Sequence, residues 1–405
     1  MEIDLNLKQT FVLDNFKTIH TGGLIVKDIL DMRFHEFFFI SIYFIFFILF
    51  VKFIIKKQKL NKNKVYFLIS YHYIFIILAY VYSLMYVNDV DSFFQTAYLL
   101  GDNDDNYMAN NYMVLINHYL IYIFNLHFFS TFIFLGFFSS IGFLLLFISF
   151  DEILNKFQFN KNLSFGLLLF PSWHFFTSFP GKDSIFLLSI GLFCFYLIKK
   201  NLFYLITSII LIFLIRPHIT PIFLGTIFLV WAHYNLFSRF KSKAIYLILF
   251  VLISLILLIS LKIFIPNYYN LIVNFLDQGN VLRNYSTESA GWYETNNNIF
   301  LNSLKYLLYP LFDFSSLTRI IISSENILIL LLVLKATLNY DRKIFNQVIK
   351  NKEIIFSILF FIIMLVTLSN FTSNIGISAR QKWMMMPFLF LFIIPFLNNF
   401  KFSRS

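Results

Sequence analysis

Residues 36–64 read EFFFISIYFIFFILFVKFIIKKQKLNKNK, a mostly apolar run that ends in a cluster of lysines. A membrane-spanning helix needs about 20 mostly apolar residues, and short basic loops stay on the cytoplasmic side of the membrane. The stretch therefore predicts a transmembrane helix over 36–55, followed by a cytoplasmic loop. Similar apolar runs, separated by short polar loops, continue along nearly the whole chain and predict an all-α, polytopic transmembrane helical bundle.

The composition supports a membrane protein. Of 405 residues, 59% are hydrophobic and only 13% are charged, whereas a soluble domain carries about 25% charged residues. The net charge of +11 comes from short loops between apolar runs, which is how topology is encoded and not a nucleic-acid-binding face. The single cysteine, Cys194, lies inside an apolar run and excludes an intrachain disulfide.

About eleven spans are predicted within one integral-membrane domain covering 1–405. They are 36–55, 65–87, 127–150, 163–170, 185–198, 202–216, 220–234, 244–265, 326–338, 354–369 and 384–397. The strongly basic loops fall on one side of the membrane and the acidic or mixed loops on the other. This distribution predicts a cytoplasmic C-terminus. With an odd number of spans the polar tail, 1–34, lies outside, whereas one span more or fewer would place this tail, which carries Lys8, Lys17, Lys27 and Arg33, inside.

The longest polar stretch is predicted as an enlarged outer loop, 266–325. Within it, Pro310, Asp313 and Arg319 disfavour a clean span over 299–324. That segment is therefore predicted to be an interfacial or re-entrant element.

The bend at 171–184, PSWHFFTSFPGKDS, lies between two apolar runs and holds the charged pair Lys182 and Asp183. Ionisable residues between membrane segments are costly and usually mark a functional site. Arg216 and His218 flank Pro217 at a second bend. If the predicted outer helix ends converge, their cations suit a lipid-linked phosphate or diphosphate, and their aromatic residues suit sugar faces.

The residues predicted to bind diphosphate or sugar are Arg216, Arg283, Arg380, Lys182, His174, Trp173 and Trp292. The candidates for proton transfer to or from an acceptor hydroxyl are Asp183, His218, Asp89 and Asp91. Structural readings stand beside these roles: Arg216 as a snorkelling cation, Lys182 and Asp183 as a self-neutralising pair, and Asp89 and Asp91 as solvated charges.

Other chemistries are not indicated. His118, His127 and His233 lie in apolar surroundings and are interpreted as packing residues. The sequence has neither a glycine-rich phosphate loop nor a zinc-spaced histidine cluster, so neither a nucleotide-driven pump nor a metalloprotease is expected. No metal and no other cofactor are expected.

Three segments carry a resemblance to a known group: PSWHFFTSFPGKDS, IRPHIT at 215–220 and SARQKWMMMP at 378–387. They resemble segments of bacterial O-antigen or exopolysaccharide repeat-unit polymerases and of related glycosyltransferases of the GT-C type. The resemblance implies an enzyme of the bacterial inner membrane that joins undecaprenyl-diphosphate-linked oligosaccharides on its outer face. It also implies chain-length regulator or flippase proteins as partners.

The resemblance assigns roles to particular residues. Arg216, Arg283 and Arg380 would hold the diphosphate. In the GT-C type an acidic residue of the first outer loop is the base, and NDVD at 88–91 matches it, although this loop follows the second predicted helix. A GT-C-type transferase that uses a polyprenyl-phosphate sugar therefore remains an alternative, and a flippase or transporter of the lipid-linked sugar is another.

Overall fold

A computed structural model describes residues 34–85, 112–124, 126–155, 161–235, 298–372 and 375–397. Helices make up 85% of this part of the chain, which contains no strand, and this confirms the all-α prediction. The helices are α1 Phe34–Gln58, α2 Lys62–Met85, α3 Tyr112–Tyr122, α4 Phe128–Asn155, α5 Lys161–Gly166, α6 Pro171–Ser178, α7 Lys182–Lys199, α8 Leu202–Ile215, α9 Thr220–Asn235, α10 Ile299–Leu308, α11 Leu317–Leu338, α12 Arg342–Val348, α13 Lys352–Phe371, α14 Ile375–Lys382 and α15 Met386–Leu397.

The chain divides into two compact units. Unit 1 contains residues 1–149 and 168–215, and unit 2 contains 150–167 and 216–405.

In unit 1, α1 and α4 run in the same direction, and α2 runs against them. The Tyr43 hydroxyl donates to the carbonyl of Phe134 at 3.0 Å, and the Tyr80 ring lies edge-on to Phe132 at 5.6 Å between centroids. The start of α1, the end of α2 and the start of α4 therefore share one end of unit 1. The lysine-rich loop at 56–64 marks the opposite end.

The non-helical segment between α5 and α6 lies beside the middle of α2. Residues 167–170 are not helical, and Pro171 begins α6 because proline fits the first helical position and forces an extended residue before it. The Tyr71 hydroxyl donates to the carbonyl of Leu169 at 3.2 Å, while Phe179, just after α6, meets the Tyr82 ring at 6.1 Å. Thus α6 runs from the middle of α2 towards its end, and α7 then leaves at 116°.

This arrangement replaces the predicted span at 163–170. In its place the structure has the short helix α5, the non-helical residues 167–170 and the helix α6. Residues freed from helical hydrogen bonding are tolerated at membrane depth only where protein groups satisfy them. The hydroxyl of Tyr71 does so at Leu169.

In unit 2, α13 is central and packs against α9, α10 and α15. Asparagine side chains cap two of the helices: Asn298 accepts from the backbone N–H groups of residues 300 and 301, and Asn351 from those of 353 and 354. Such caps satisfy amide groups that have no partner inside the helix. A second broken pair, α14 and α15, bends by 59°.

The span count is lower than predicted in the described residues. Five helices are long and apolar enough to cross a membrane, or up to seven if each bent pair counts as one span. Helices α8, α9 and α10 are shorter, and the predicted span 244–265 lies outside the described residues. The figure of about eleven spans is therefore not confirmed, but the apolar helices do indicate a membrane protein.

One predicted boundary was wrong. The ninth span was expected over 326–338, but α11 begins at Leu317, where the Ser316 hydroxyl accepts from the Arg319 N–H. Arg319 does not disrupt the helix, because its guanidinium pairs with Asp313 just outside it at 2.7 Å. Residues 299–324 are thus not one interfacial segment but α10, a connection and the first turns of a spanning helix.

Candidate functional site: a polar end of unit 2

Helices α9 and α13 are antiparallel, and this fixes which residues share an end of unit 2. The Phe223 ring lies 5.5 Å from that of Phe360, while the Tyr234 hydroxyl donates to the carbonyl of Ile349 at 3.0 Å. The residues that precede α9 therefore lie towards the end of α13 that leads into α14. We call this the α14 end; the opposite end carries the basic residues around 342–352.

Lys382, the last residue of α14, is a buried cation at the α14 end. It is 1% exposed, and its ammonium donates to the side-chain oxygen of Asn326. The amide of Asn326 donates in turn to the carbonyl of Pro310 at 2.9 Å. Glu325, itself 4% exposed, interacts electrostatically with Lys382. A buried charge is tolerated only with such partners, so α11, α14 and the connection that follows α10 are held together around one amine.

Neutral polar groups extend this network. The side-chain oxygen of Gln381 accepts from the Thr372 hydroxyl at 3.1 Å and from the Tyr306 hydroxyl at 3.4 Å. Ser303 and Ser369 share a hydrogen bond of 3.1 Å between α10 and α13. Hydroxyl and amide groups therefore lie at the end of α13 and in α14, on both sides of the connection between these helices.

An ion pair lies on the connection before α11. Asp313 accepts from the Ser315 hydroxyl at 2.6 Å, from the Ser315 N–H at 3.0 Å and from the Arg319 guanidinium at 2.7 Å. These hydrogen bonds, led by that of the Ser315 hydroxyl, hold the pKa of Asp313 below its usual value of 3.8. Asp313 is therefore a stable carboxylate at neutral pH that offsets one cation at the α14 end.

Three residues predicted to act on substrate lie at the same end. Arg216 is buried and forms a turn with Pro217 and His218, in which the Ile219 N–H donates to the Arg216 carbonyl at 2.9 Å. His218 is exposed. Arg380 is half-buried in α14, two residues before Lys382. Besides the ion-paired Arg319, the α14 end thus combines two guanidinium groups, a buried ammonium and a histidine.

Comparison with known proteins adds no family. No family model, curated protein or solved structure matches the chain at a significant level.

The other described candidates belong to unit 1. Trp173 and His174 lie in α6 and are 1% and 0% exposed, so a sugar would reach them only after that helix moves. Lys182 begins α7, and Asp183 follows in its first turn, 7% exposed. A carboxylate there is favoured by the helix dipole.

His174 takes part in a buried chain of hydrogen bonds. Its Nε2 lies 2.7 Å from the carbonyl of Leu168, its Nδ1 lies 3.1 Å from Nδ1 of His72, and Nε2 of His72 lies 2.7 Å from the Ser139 hydroxyl. A carbonyl only accepts, so Nε2 of His174 carries a proton. With both rings neutral, Nδ1 of His72 then donates to Nδ1 of His174, and Nε2 of His72 is an acceptor that faces the Ser139 hydroxyl, which also lies 2.8 Å from the Gly136 carbonyl. The chain thus provides a hydrogen-bond donor for the buried carbonyl of Leu168 at the helix break.

Four candidates lie outside the described residues: Asp89, Asp91, Arg283 and Trp292. Their roles stay predictions. Among the described residues, no three His, Cys, Asp or Glu side chains come together as metal ligands.

Sequence reasoning missed the partners that make these sites. Glu325 and Asn326 stand near the start of an apolar run, and His72 and Ser139 within apolar runs. The available signal was the cost of any polar side chain inside a spanning helix. The sequence does not show which of these polar side chains contact one another.

Proposed function

We propose that the protein is an integral-membrane glycosyl-transferring enzyme of bacterial surface polysaccharide assembly, a repeat-unit polymerase of the inner membrane. Its substrates would be undecaprenyl-diphosphate-linked oligosaccharides, joined on the outer face of that membrane. The observation that supports this proposal is the set of cations at the α14 end: Arg216, Arg380 and the buried Lys382 with Asn326 and Glu325.

The proposed glycosyl transfer suits this set of cations. When the glycosidic bond to a diphosphate breaks, negative charge develops on the leaving oxygen, and fixed cations lower the energy of that transition state. Guanidinium groups bind phosphate oxygens in pairs, so Arg216 and Arg380 would bind the diphosphate, and Lys382 would hold α14 in place. The exposed His218 would exchange the proton of an acceptor hydroxyl.

The α14 end also lies on the predicted outer side. Basic residues at 342–352 mark the opposite end of unit 2, and the positive-inside rule assigns that end to the cytoplasm. A site at the α14 end would therefore face the compartment in which repeat units are joined.

The test begins with a strain deleted for this gene. A gel of its surface lipopolysaccharide or capsule should show core plus a single repeat unit. Complementation with Arg216→Ala or Arg380→Ala should fail to restore long chains, because loss of one transition-state contact costs about 10²-fold or more in rate. Arg342→Ala, an exposed arginine at the opposite end, is the matched control and should restore them. Normal chain lengths in both α14-end variants, at equal protein levels, would refute the proposal.

A second candidate, a flippase or transporter of the lipid-linked sugar, is favoured by the two broken helix pairs. Transporters bind their substrates at discontinuous helices, and each unit contains one such pair, α6 with α7 and α14 with α15. The same deletion separates the two. A polymerase mutant still displays one repeat unit outside, whereas a flippase mutant displays none and accumulates its substrate on the inner leaflet.

The GT-C-type alternative depends on Asp89 and Asp91, outside the described residues. A surface profile lacking even one complete repeat unit, without substrate accumulation, would favour that earlier transfer.

A further inference from the structure

Two buried histidine rings of unit 1 face each other through the same ring nitrogen. Nδ1 of His72 lies 3.1 Å from Nδ1 of His174, and both residues are 0% exposed. Nε2 of His174 lies 2.7 Å from the Leu168 carbonyl. Nε2 of His72 lies 2.7 Å from the Ser139 hydroxyl, which in turn lies 2.8 Å from the Gly136 carbonyl. Four polar contacts in series therefore connect two backbone carbonyl groups.

This chain of contacts has room for one more proton than its neutral groups supply. A contact of this length needs a hydrogen between its two heavy atoms, because two facing lone pairs repel each other. Two neutral imidazoles and one hydroxyl carry three hydrogens for the four contacts. With neutral rings, Ser139 leaves either Nε2 of His72 or the Gly136 carbonyl without a donor. One added proton completes all four contacts.

The charged residues near the pair in sequence do not compensate such a proton. Among the described residues, no Asp, Glu, Lys or Arg interacts electrostatically with either ring. This includes Lys182 and Asp183 at the start of α7, which packs against α6. The titratable side chain in ring contact is Tyr71 of α2, 4.8 Å from His174. Because a buried charge without a counter-ion is costly, the pair is suited to taking up a proton and releasing it again.

An aromatic ring offsets part of that cost. The Phe143 ring of α4 stacks on the His174 ring at 4.0 Å and 10°, and its centroid lies 4.9 Å from that of His72. The face of an aromatic ring attracts a cation, and more strongly where water is excluded. An imidazolium shared by the two histidines would therefore lie against a favourable surface.

His127 is the contrasting case in the same unit. Its Nδ1 pairs with one oxygen of the buried Glu36, and the other oxygen accepts from the His127 N–H at 3.0 Å and from the Ser130 hydroxyl at 2.6 Å. A proton on His127 has a carboxylate beside it, whereas a proton on His72 and His174 has none.

We propose that His72 and His174 form a binding site for one proton, which the two Nδ1 atoms share. A hydronium ion gives the proton to the lone pair of Nε2 of His72 and leaves as water. That nitrogen then donates to the Ser139 hydroxyl, and Ser139 donates to the Gly136 carbonyl. The hydrogen already on Nδ1 of His72 is then held between the two rings. The inference does not depend on the proposed glycosyl transfer.

The position of the site couples the proton to helix α6. Because both rings are fully buried, a proton reaches them only when the packing of α6 against α2 and α4 opens. His72 lies near the middle of α2, which runs from Lys62 to Met85. Ionisable side chains at that depth mark proton pathways, and transporters hold their coupling ions beside broken helices near the midplane. The site therefore adds proton coupling to the transporter candidate.

The first experiment follows the ring nitrogens directly. Purified full-length protein is labelled with nitrogen-15 in its histidines, and its spectrum is recorded from alkaline to acid pH. Nε2 of His72 should gain a proton, and the Nδ1 signals of both rings should move to a common position at a single midpoint. If Nε2 of His72 stays unprotonated down to the pH of unfolding, or if the two rings titrate separately with one proton each, the proposal is wrong.

A matched pair of variants separates proton binding from structure. In His174→Gln the amide N–H can still donate to the Leu168 carbonyl, but Nδ1 is lost, so the titration of His72 should disappear in a folded protein. His127→Gln removes a histidine of the same unit outside the chain and should leave that titration unchanged. An unaltered His72 titration in His174→Gln would exclude a shared proton.

The second experiment tests the coupling and rests on the transporter candidate. Proteoliposomes with a pH-sensitive dye inside receive a lipid-linked repeat unit and an acid exterior. Proton entry should exceed that of protein-free liposomes and should be lost in His174→Gln, while His233→Gln, an exposed histidine of unit 2, retains it. Equal entry in wild type and His174→Gln refutes the coupling. Neither experiment involves chain elongation, so a failure of the proposed polymerase and a failure of the proton site are seen separately.

Discussion

Substitution of Gly191 by alanine should destabilise unit 1, because α4 and α7 touch there through their backbones. A Cβ on Gly191 would lie 2.7 Å from the Gly142 carbonyl oxygen and 3.0 Å from its Cα. Backbone atoms cannot rotate away as a side chain can, so the helices would have to separate. Overpacking of this kind costs about 1–3 kcal/mol, whereas the alanine itself favours helix by about 1 kcal/mol.

Gly225 in α9 is the matched control. It also lies inside a helix, but a Cβ there would have no neighbour within 4 Å. The helix-propensity gain is common to both substitutions, so the difference between the two variants isolates the cost of the close contact, about 1–3 kcal/mol. Gly225→Ala should be as stable as the wild type or more so.

The free energy of unfolding can be measured in mixed micelles of dodecyl maltoside and SDS, with tryptophan fluorescence as the signal. Gly142→Ala, whose Cβ would lie 2.8 Å from the Leu187 carbonyl, should behave like Gly191→Ala. The double variant should lose less than the sum, because both changes open the same contact. Equal stability of the Gly191 and Gly225 variants would refute the close approach of α4 and α7.

Three further substitutions test the polar networks. His174→Phe should lower the unfolding free energy by about 1–3 kcal/mol, because it leaves the Leu168 carbonyl unsatisfied; no loss in the micelle titration would contradict the hydrogen-bonded chain. Lys382→Met should destabilise unit 2 by about 1–3 kcal/mol through the side-chain oxygen of Asn326, and unchanged stability would mean that the amine is dispensable. The pKa of Asp313 is lowered in the folded state, so its stabilisation is present above the unfolded pKa and disappears as pH falls through the folded one. Asp313→Asn should therefore be less stable than the wild type at neutral pH and equal to it in acid, as measured by unfolding at several pH values.

The fold could be predicted from sequence where hydrophobicity alone decides it. The uninterrupted apolar runs of α1 and α13 appear at nearly the predicted bounds. The prediction failed where side chains donate hydrogen bonds to backbone carbonyls outside the helices. Pro171 indicates an extended residue before it, but nothing local to 167–170 shows that the Leu169 carbonyl accepts from Tyr71, which lies 98 positions away in sequence.

The same distinction applies to the candidate sites. Because charged residues are costly in so apolar a chain, Arg216 and Arg380 were predicted to be functional. The antiparallel packing of α9 and α13 brings both to one end of unit 2. Their catalytic roles remain proposals. His127, by contrast, was interpreted as a packing residue, since its partner Glu36 lies 91 positions away in sequence. Pairings at that range depend on how helices are arranged and leave no periodic pattern.

The length of α1 fixes the depth at which Glu36 lies. From Glu36 to Lys56 the helix rises about 30 Å at 1.5 Å per residue, which equals the hydrocarbon thickness of a typical bilayer. With Lys56 and Lys57 held among the headgroups at one surface, Glu36 and His127 reach the headgroup layer at the other. Lipids with longer acyl chains would draw the carboxylate into hydrocarbon unless the bilayer thinned locally. Acyl-chain length is therefore a means of moving this pair between a polar and an apolar medium without changing a single residue.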